Sequence, residues 1–222
     1  LQIERVISID ENYMFSFADT ITNTSNREFT LSPMGQVRRY GAWKDFLNET
    51  DPGSASKMGL AHQGLIGVFD KGLTLRNYQN LFKDKGIKDA DKNGYRAAES
   101  GGWIGFTDMY WMAALVPEQG RSYKAIVERE NDALILKIDA EDVILAAGQS
   151  VTVTNQIFAG AKEYNVVNAY KKSGIPRFDD SIDWGNILYY ITRPFFALLN
   201  WLKTQIGSFG LAILALTLLI KI

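Results

Sequence analysis

The sequence predicts a mainly β domain, built as a sandwich, followed by two C-terminal helices that contact lipid. Roughly ten short apolar segments with a period of two recur through the first three quarters of the chain, which is typical of a β-sandwich. From Ile187 onward, aliphatic and aromatic residues dominate. Asp183 is the last acidic residue, so the charge pattern changes at the same place.

The composition excludes several kinds of site. The 222 residues carry 24 basic and 25 acidic side chains, for a formal net charge of −1. This chain lacks the basic excess that nucleic-acid binding needs, so we expect no nucleic-acid partner. It contains no cysteine, which excludes disulfides, thiol nucleophiles and Cys-ligated zinc. His62 is the single histidine, which excludes a His-rich metal site, and we expect no metal and no other cofactor.

The N-terminal residues predict four strands joined as an antiparallel meander. Residues 3–9 are rich in β-branched side chains, and the polar residues 10–12 form a turn cluster. Residues 13–22 alternate with a period of two, so one face of this second strand should be buried. Two more short strands are predicted over residues 28–31 and 36–40.

The middle of the chain predicts the remaining strands, separated by turns and loops. Residues 48–58 contain Pro52 and Gly53 and predict a loop. Residues 70–72 predict a hairpin turn between short strands at 64–69 and 73–75. The charged, glycine-punctuated residues 83–96 predict an exposed excursion. The other predicted strands cover residues 103–106, 110–116, 122–129, 133–138 and 150–159.

One helix is predicted after the strands, over residues 162–172. Tyr164, Val167 and Tyr170 recur there at a spacing of three, which indicates one buried helical face. Gly174 and Pro176 follow, as is typical of a helix C-terminus. We expect residues 1–175 to form one β-sandwich domain and residues 176–185 to form a polar linker.

Residues 186–207 predict an amphipathic helix lying in a membrane interface. Asn186, Arg193 and Asn200 are spaced by seven and share a narrow polar stripe with Thr204, opposite a wide aromatic and aliphatic surface. Pro194 should kink or start the helix, leaving two pieces. The alternative is a helix packed on the sandwich core. The predicted membrane-contacting residues are Arg193, Phe195, Phe196, Leu199, Trp201 and Lys203.

Residues 208–222 predict the first half of a membrane-spanning helix, after a hinge at 207–210. The apolar residues 210–220 cover about 16 Å of helix, against about 30 Å of hydrocarbon. Lys221 would then lie near the bilayer centre, where an ionisable group is costly and indicates a functional site. The alternative is that Lys221 ends a short tail and snorkels outward. Because Leu1 opens into a strand without Met or a signal peptide, we expect an internal piece of a longer membrane protein.

The C-terminal residues resemble a known family. The string Gly-Ser-Phe-Gly-Leu-Ala-Ile-Leu-Ala-Leu-Thr-Leu-Leu-Ile-Lys over residues 207–221 follows an aromatic amphipathic helix that contains Arg-Pro-Phe-Phe. This pattern is similar to the YidC membrane protein insertase family of Gram-negative bacteria. Gly101-Gly102-Trp103 before an aromatic strand and Asp183-Trp184-Gly185 before the helix match as well. The resemblance covers essentially the whole chain and is most specific in its C-terminal part.

The resemblance implies a fold, a role and a location. The implied fold is a β-supersandwich of the galactose-mutarotase type, with its opening part preceding Leu1. The implied role is the insertion and folding of nascent inner-membrane proteins, alone or beside the Sec translocon and its accessory SecDF, with a ribosome bound by parts outside this chain. The implied location is the bacterial inner membrane and its lipid bilayer, crossed several times by the parent protein, with residues 1–185 in the periplasm. The resemblance implies neither enzyme activity nor a cofactor.

The resemblance also implies a substrate groove that contains one positive charge. By position that charge is Lys221, where many family members have Arg, and Thr217 lies one turn earlier on the same helical face. Lysine cannot offer the planar fork of a guanidinium group. Both lysine and arginine can attract an acidic client segment, so Lys221 suits the groove if attraction is what the mechanism uses.

A second functional class stays open, a periplasmic carbohydrate-binding or carbohydrate-active sandwich anchored by its C-terminal helix. Mutarotases need several proton-transfer groups at one carbon, and a single histidine, His62, disfavours that chemistry. Trp103 after two glycines could face a ligand, but a buried indole beside closely approaching backbone is the preferred interpretation. Further hydrophobic segments after Ile222 in the parent gene would favour the insertase.

A solvated face is predicted for a group of carboxylates that flank the strands over residues 122–138, namely Glu128, Glu130, Asp132, Asp139, Glu141 and Asp142.

Overall fold

A computed structural model of the chain describes residues 1–41, 62–70, 72–83, 86–182, 184 and 189–221. The chain divides into two compact units, Leu1–Ile182 and Asp183–Ile222. The described residues of the first unit form thirteen strands. In chain order these are β1 Gln2–Ile9, β2 Met14–Thr22, β3 Phe29–Leu31, β4 Met34–Tyr40, β5 Gly64–Phe69, β6 Gly72–Asn77, β7 Arg96–Ala98, β8 Gly102–Thr107, β9 Trp111–Val116, β10 Tyr123–Glu130, β11 Ala133–Ala140, β12 Val143–Leu145 and β13 Ser150–Ala161.

The strands pair in three antiparallel sheets. The largest has seven strands in the order β1-β2-β13-β9-β8-β5-β6. A second sheet has four strands in the order β4-β11-β10-β7, and β12 pairs with β3 in a separate ribbon. The prediction of a mainly β chain with C-terminal helices is therefore confirmed.

A first hydrophobic core fills the space between the two larger sheets. Leu65, Ile104 and Leu115 point into it from the seven-stranded sheet and are almost completely buried. Leu134 and Leu136 meet them from the four-stranded sheet and are fully buried. Because both sheets contribute to one core, they form a sandwich.

A second core lies on the other face of the seven-stranded sheet. The described helices of the chain are α1 Tyr78–Phe82, α2 Tyr164–Lys172, α3 Tyr189–Ile206 and α4 Phe209–Lys221, with a 3₁₀ helix at Phe178–Ser181. Val167 of α2 and Phe178 of the 3₁₀ helix are fully buried in this core. The Phe178 ring lies edge-on to Trp103 and Phe158, with centroid distances of 5.0 and 5.4 Å. The predicted helix over 162–172 is confirmed, with two fewer residues at its start.

The predicted four-stranded meander is wrong beyond its first hairpin. β1 and β2 do pair antiparallel, with Ile7 opposite Phe17. β3 instead pairs with β12, and β4 pairs with β11, more than ninety residues later in the chain, with Tyr40 opposite Ala133. The period of two identifies each strand but not its partner, because cross-strand contacts so distant in sequence have no local signature.

Two other local predictions need correction, and one helix was not predicted. The polar linker predicted over 176–185 is packed against the protein at its beginning. Phe178 is buried there, and the Asp179 carboxylate, 1% exposed, forms a 2.9 Å ion pair with the Lys171 ammonium group. The segment predicted to be exposed over residues 83–96 is not exposed throughout, because Ile87 is buried in the first core. Sequence reasoning missed α1, which begins where the Asn77 side chain caps the Asn80 N–H. The loop predicted over 48–58 lies outside the described residues.

Candidate membrane-contacting site

The site begins with α3, a single continuous helix from Tyr189 to Ile206. The predicted break near Pro194 is wrong, since the helix runs through it. Pro194 is the sixth residue of the helix, so the carbonyl group that loses its N–H partner belongs to the first turn. That turn includes Tyr190, which is 83% exposed. A proline this close to a helix start is therefore tolerated.

The aromatic side chains of α3 form an exposed apolar surface within the second unit. Among the residues predicted to contact a membrane, Phe195 and Trp201 are exposed, the indole by 57%. Arg193, Leu199 and Lys203 are half-buried. Of the predicted polar stripe, Asn200 is half-buried and Thr204 exposed, while Asn186 lies outside the described residues. Exposed aromatic rings beside basic groups are typical of helices that bind a membrane interface.

Trp184 fixes the chain at the entrance to α3, and sequence reasoning gave it no such role. Its carbonyl oxygen accepts a 2.8 Å hydrogen bond from the Thr192 hydroxyl. The indole packs edge-on against Phe196 at a centroid distance of 5.6 Å and is 9% exposed. Phe196, predicted to contact a membrane, therefore also has a contact within the protein. Its spacing of twelve residues from Trp184 follows no helical period, so periodicity could not have predicted the pair.

A tight turn connects α3 to α4. Gly207 has a φ of +79°, a conformation that glycine adopts without strain, and its N–H donates to the Lys203 carbonyl at 2.8 Å. The Lys203 ammonium lies 5.5 Å from the centre of the Phe209 ring, so this predicted interface cation already has an aromatic partner. The predicted hinge over 207–210 is shorter than expected, because Phe209 and Gly210 belong to α4.

α4 is an apolar helix whose large side chains are mostly exposed. Leu214 and Leu218 are exposed by 66% and 65%, and Ile220 by 57%. Its 13 residues extend about 20 Å, less than the roughly 30 Å of a bilayer core. None of the helices among the described residues has the length and apolar character that a membrane span requires.

The two predicted groove residues both lie in α4. Thr217 and Lys221 are exposed and four residues apart, so they share one face of the helix. The Thr217 hydroxyl donates a 2.8 Å hydrogen bond to the Ile213 carbonyl of its own helix. With its proton used by the backbone, this hydroxyl can offer only acceptor lone pairs to a neighbour on that face.

The residues considered for sugar chemistry have structural contacts. The His62 ring nitrogen Nε2 lies 2.9 Å from the Leu65 carbonyl oxygen. Trp103 is fully buried, and its indole N–H donates to the Pro176 carbonyl at 2.9 Å. The preferred interpretation, a buried indole beside close backbone, is therefore confirmed.

The carboxylates predicted to form a solvated face lie partly around an open cavity of about 670 Å³. Asp139, Glu141 and Asp142 line it at the end of β11, and Lys124 is the one basic residue in its lining. The described residues contain no group of side chains arranged to hold a metal ion. This cavity is therefore an acidic cleft at the surface of the first unit.

Comparison with known proteins places this chain in a family. The family model described as the YidC periplasmic domain matches residues 1–198. Curated relatives named membrane protein insertase YidC include those of a Ruegeria species, 37% identical over 225 residues, and of Maricaulis maris, 40% identical over 227 residues. Each comparison covers 100% of this chain and 35% of the relative. The chain thus spans about a third of the length of these relatives.

A solved structure of a galactose mutarotase related enzyme from Lactobacillus acidophilus is also similar, with a TM-score of 0.43 and 7% sequence identity over 71% of this chain and 60% of that one. The match to the periplasmic-domain model reaches from the first strand into α3. With relatives at 37–40% identity along its whole length, this chain belongs to the YidC family of membrane protein insertases.

Proposed function

We propose that the chain supplies the periplasmic β-unit and the first membrane-contacting helices of a membrane protein insertase. The observation that carries this proposal is the whole-chain similarity to relatives that bear this name. The second unit supports it physically, since its two consecutive helices expose large apolar side chains and contain no acidic residue. Apolar surface of this extent is stable when a bilayer covers it.

In this proposal three parts of the chain have separate locations. Residues 1–185 lie in the periplasm, residues 186–207 lie flat at the outer surface of the inner membrane, and residues 208–222 begin the first of several membrane spans. The aromatic residues of α3 favour the interface, and the apolar surface of α4 favours the hydrocarbon. The turn at Gly207 provides the change of direction between them.

Lys221 is the proposed contact for client proteins. Twelve residues of α4 precede it, which is about 18 Å of helix and brings it close to the middle of a bilayer. A lysine side chain does not comfortably reach water from that depth, so it needs a wet groove or a partner. In the groove its charge attracts acidic segments of a client, and Thr217 on the same face adds a hydroxyl oxygen.

The proposed partners follow from this role. They are nascent inner-membrane proteins, the Sec translocon with SecDF, and a ribosome bound by parts of the protein outside this chain. The proposed activity is that of a chaperone without chemical catalysis. No observation favours the carbohydrate-binding alternative, since His62 contacts the backbone and Trp103 is buried.

Substitution of Lys221 in the full-length protein tests the proposal. Each variant is expressed in a strain depleted of its own insertase, and growth and client insertion are measured with expression checked. Lys221→Arg should rescue, because the charge is kept. Lys221→Ala and Lys221→Glu should impair insertion of clients with an acidic translocated segment, the latter more strongly.

The matched control is Lys172→Glu, a charge reversal at the exposed end of α2 in the first unit. This variant should rescue as well as the unchanged protein. Full rescue by Lys221→Glu would show that the groove does not use the charge.

A further inference from the structure

The corner between α3 and α4 is closed by backbone hydrogen bonds, although the sequence predicts a hinge there. Only Gly207 and Ser208 lie between the two helices. The Gly207 N–H donates to the last turn of α3, at the Lys203 carbonyl. The Ser208 carbonyl accepts a 3.0 Å hydrogen bond from the Ala212 N–H, in the first turn of α4. Both helices therefore continue their hydrogen bonding into the corner, which leaves its backbone little freedom.

The two helices also pack against each other next to this corner. α3 and α4 contact each other, and Ala212 near the start of α4 is fully buried, unlike the large apolar side chains of the same helix. Because a methyl group takes little room, the two backbones can approach closely at this point. Side-chain packing thus supports the turn that the backbone forms.

Lys203 and Phe209 connect the last turn of α3 to the first turn of α4 through their side chains. The ammonium group lies 5.5 Å from the centre of the ring, which is within the range of a cation–π attraction. Lys203 is half-buried and Phe209 is exposed, so the contact lies at the rim of the corner. No acidic residue follows Asp183, so neither helix offers this cation a carboxylate. Its contact with α4 is therefore the aromatic ring.

The direction in which α4 leaves the corner decides where Lys221 lies. Twelve residues of α4 precede Lys221, which is about 18 Å of helix. A change of about 20° in the direction of α4 would displace this lysine by about 6 Å, roughly one helical turn. A charge that must face a groove cannot tolerate a displacement of that size, so the corner has to be held.

We propose that Lys203 is a positioning residue of the insertase, which holds the angle between α3 and α4 through the Phe209 ring and so sets the place of Lys221. This inference rests on the proposed function, because the place of Lys221 matters only if that lysine contacts clients. A cation in the last turn of α3 also interacts favourably with the carbonyl end of that helix. Lys203 therefore acts on both sides of the corner.

Distances between two spin labels test the angle in the full-length protein, bound in lipid vesicles and without a client. The labels replace Ile191 in α3 and Leu218 in α4, which are both exposed. Pulsed electron paramagnetic resonance should give one narrow distance population when Lys203 is present. Lys203→Leu should raise the population at other distances about fivefold, equivalent to roughly 1 kcal/mol, because the cation–π contact is lost.

The matched control is Gln205→Leu, which introduces the same side chain at an exposed position in the last turn of α3. Gln205 is two residues beyond Lys203, so it lies on another side of the helix. This variant should leave the distances unchanged. Equal broadening by the two leucine variants would show that the ammonium group does not hold the angle.

Variants of the aromatic residue separate a contact within the protein from a contact of Lys203 with lipid headgroups. Phe209→Leu should broaden the distances as much as Lys203→Leu does, and the double variant should add nothing further, because all three lack the same contact. Lys203→Arg should keep the narrow population, since a guanidinium group also binds an aromatic face. Broadening by Lys203→Leu without broadening by Phe209→Leu would overturn the proposal, as would additive effects.

Client insertion in the depleted strain gives the second readout. Lys203→Leu and Phe209→Leu should lower insertion of clients with an acidic segment by about the fraction of molecules that leave the narrow distance population, whereas Lys203→Arg should not. Unchanged insertion by Lys203→Leu, in a protein that Lys221→Glu impairs, would overturn the positioning role. Full rescue by Lys221→Glu would instead contradict the proposed function, whatever the distances.

Discussion

At Gly102 two strands approach so closely that a side chain has no room. Its φ is +135°, and a Cβ built on it would lie 1.9 Å from the Val68 carbonyl oxygen. The next residue, Trp103, is buried and bonded to the Pro176 carbonyl. Glycine at this position therefore allows β5 and β8 to place the indole in the second core.

Replacing this glycine should be far more damaging than replacing a glycine in a turn. We expect Gly102→Ala to lower the free energy of unfolding by about 3 kcal/mol or more, from steric overlap and backbone strain together. The control is Gly148→Ala, where φ is +75° but no atom lies within 4 Å of the added Cβ. That variant should lose roughly 1 kcal/mol. Urea unfolding followed by circular dichroism measures the free energy of unfolding of each variant. Equal losses in the two variants would contradict the steric explanation.

Asp10 connects the first hairpin to α2. Its carboxylate accepts the Tyr170 hydroxyl at 2.7 Å and the N–H groups of Asn12 and Met14 at 2.8 and 2.9 Å. Burial raises the pKa of Asp10, but these three donors outweigh it, so the pKa lies below its usual value. A carboxyl whose pKa is lower in the folded state stabilises the fold above its unfolded pKa, and this contribution disappears as the pH falls through the folded pKa.

The Tyr170 hydrogen bond should therefore contribute a pH-dependent stability. We expect Tyr170→Phe to lower the free energy of unfolding by about 1 kcal/mol at pH 7, since the carboxylate is exposed. As the pH falls below about 4, the difference from the unchanged protein should shrink. Urea unfolding at pH 7 and pH 3 measures it. A difference of the same size at both pH values would rule out a role for the ionised Asp10.

Sequence reasoning succeeded at residues with a local signature and failed at residues without one. The Gly-Gly-Trp string predicted the buried Trp103 because close backbone approach needs glycine. Phe178 falls within the predicted polar linker, although it is fully buried. It is a single aromatic residue in a polar stretch, so no repeating apolar spacing indicates that it is buried. The residues that it contacts, Trp103 and Phe158, are distant in sequence.

Among the elements, strand positions were predictable, whereas strand partners were predictable only within the hairpins β1–β2 and β5–β6. The alternation that marks β2 as a strand arises from one buried face and needs no knowledge of neighbours. Its pairing with β13, which places Thr20 opposite Thr152, depends on the whole chain. The helix predicted over 162–172 was found because its apolar spacing and Gly174 are both local. Thr217 and Lys221 remain predictions, since their roles depend on groups outside this chain.

The orientation of α3 on a bilayer is a further prediction at this scale. Spin labels at residues 195 and 199, on the aromatic face, should report lipid exposure, and a label at residue 200 should report water. The reason is that residues 195 and 199 lie one helical turn apart, whereas residue 200 is rotated away toward the polar stripe. Power-saturation measurements with the chain bound to vesicles give these accessibilities. Equal accessibility at all three positions would refute the orientation.

For the molecule as a whole, the β-unit should fold without the second unit, provided that it ends at Ile182. The compact unit is Leu1–Ile182, and Phe178 fills the second core. Ending the chain at residue 176 removes that ring, which should lower stability by about 3–5 kcal/mol and the melting temperature by roughly 10 °C relative to residues 1–182. Far-UV circular dichroism during heating gives the melting temperatures of the two truncated chains.

A point substitution provides the control for that truncation. Phe178→Ala in the 222-residue chain should reproduce most of the loss, because the same ring is removed without shortening the chain. Identical melting of the two truncated chains would show that residues 177–182 do not support the core.

The position of β13 has a consequence for the order in which the protein folds. The last strand in the chain lies between β2 and β9, so the first hairpin cannot join the rest of its sheet until residues 150–161 are available. A chain that is synthesised or exported from its N-terminus must therefore hold β1 and β2 in an unfinished state. The arrival of β13, shortly before α3 and α4, is then the step that joins the β1–β2 hairpin to the rest of its sheet and ends the period in which these early strands could pair wrongly.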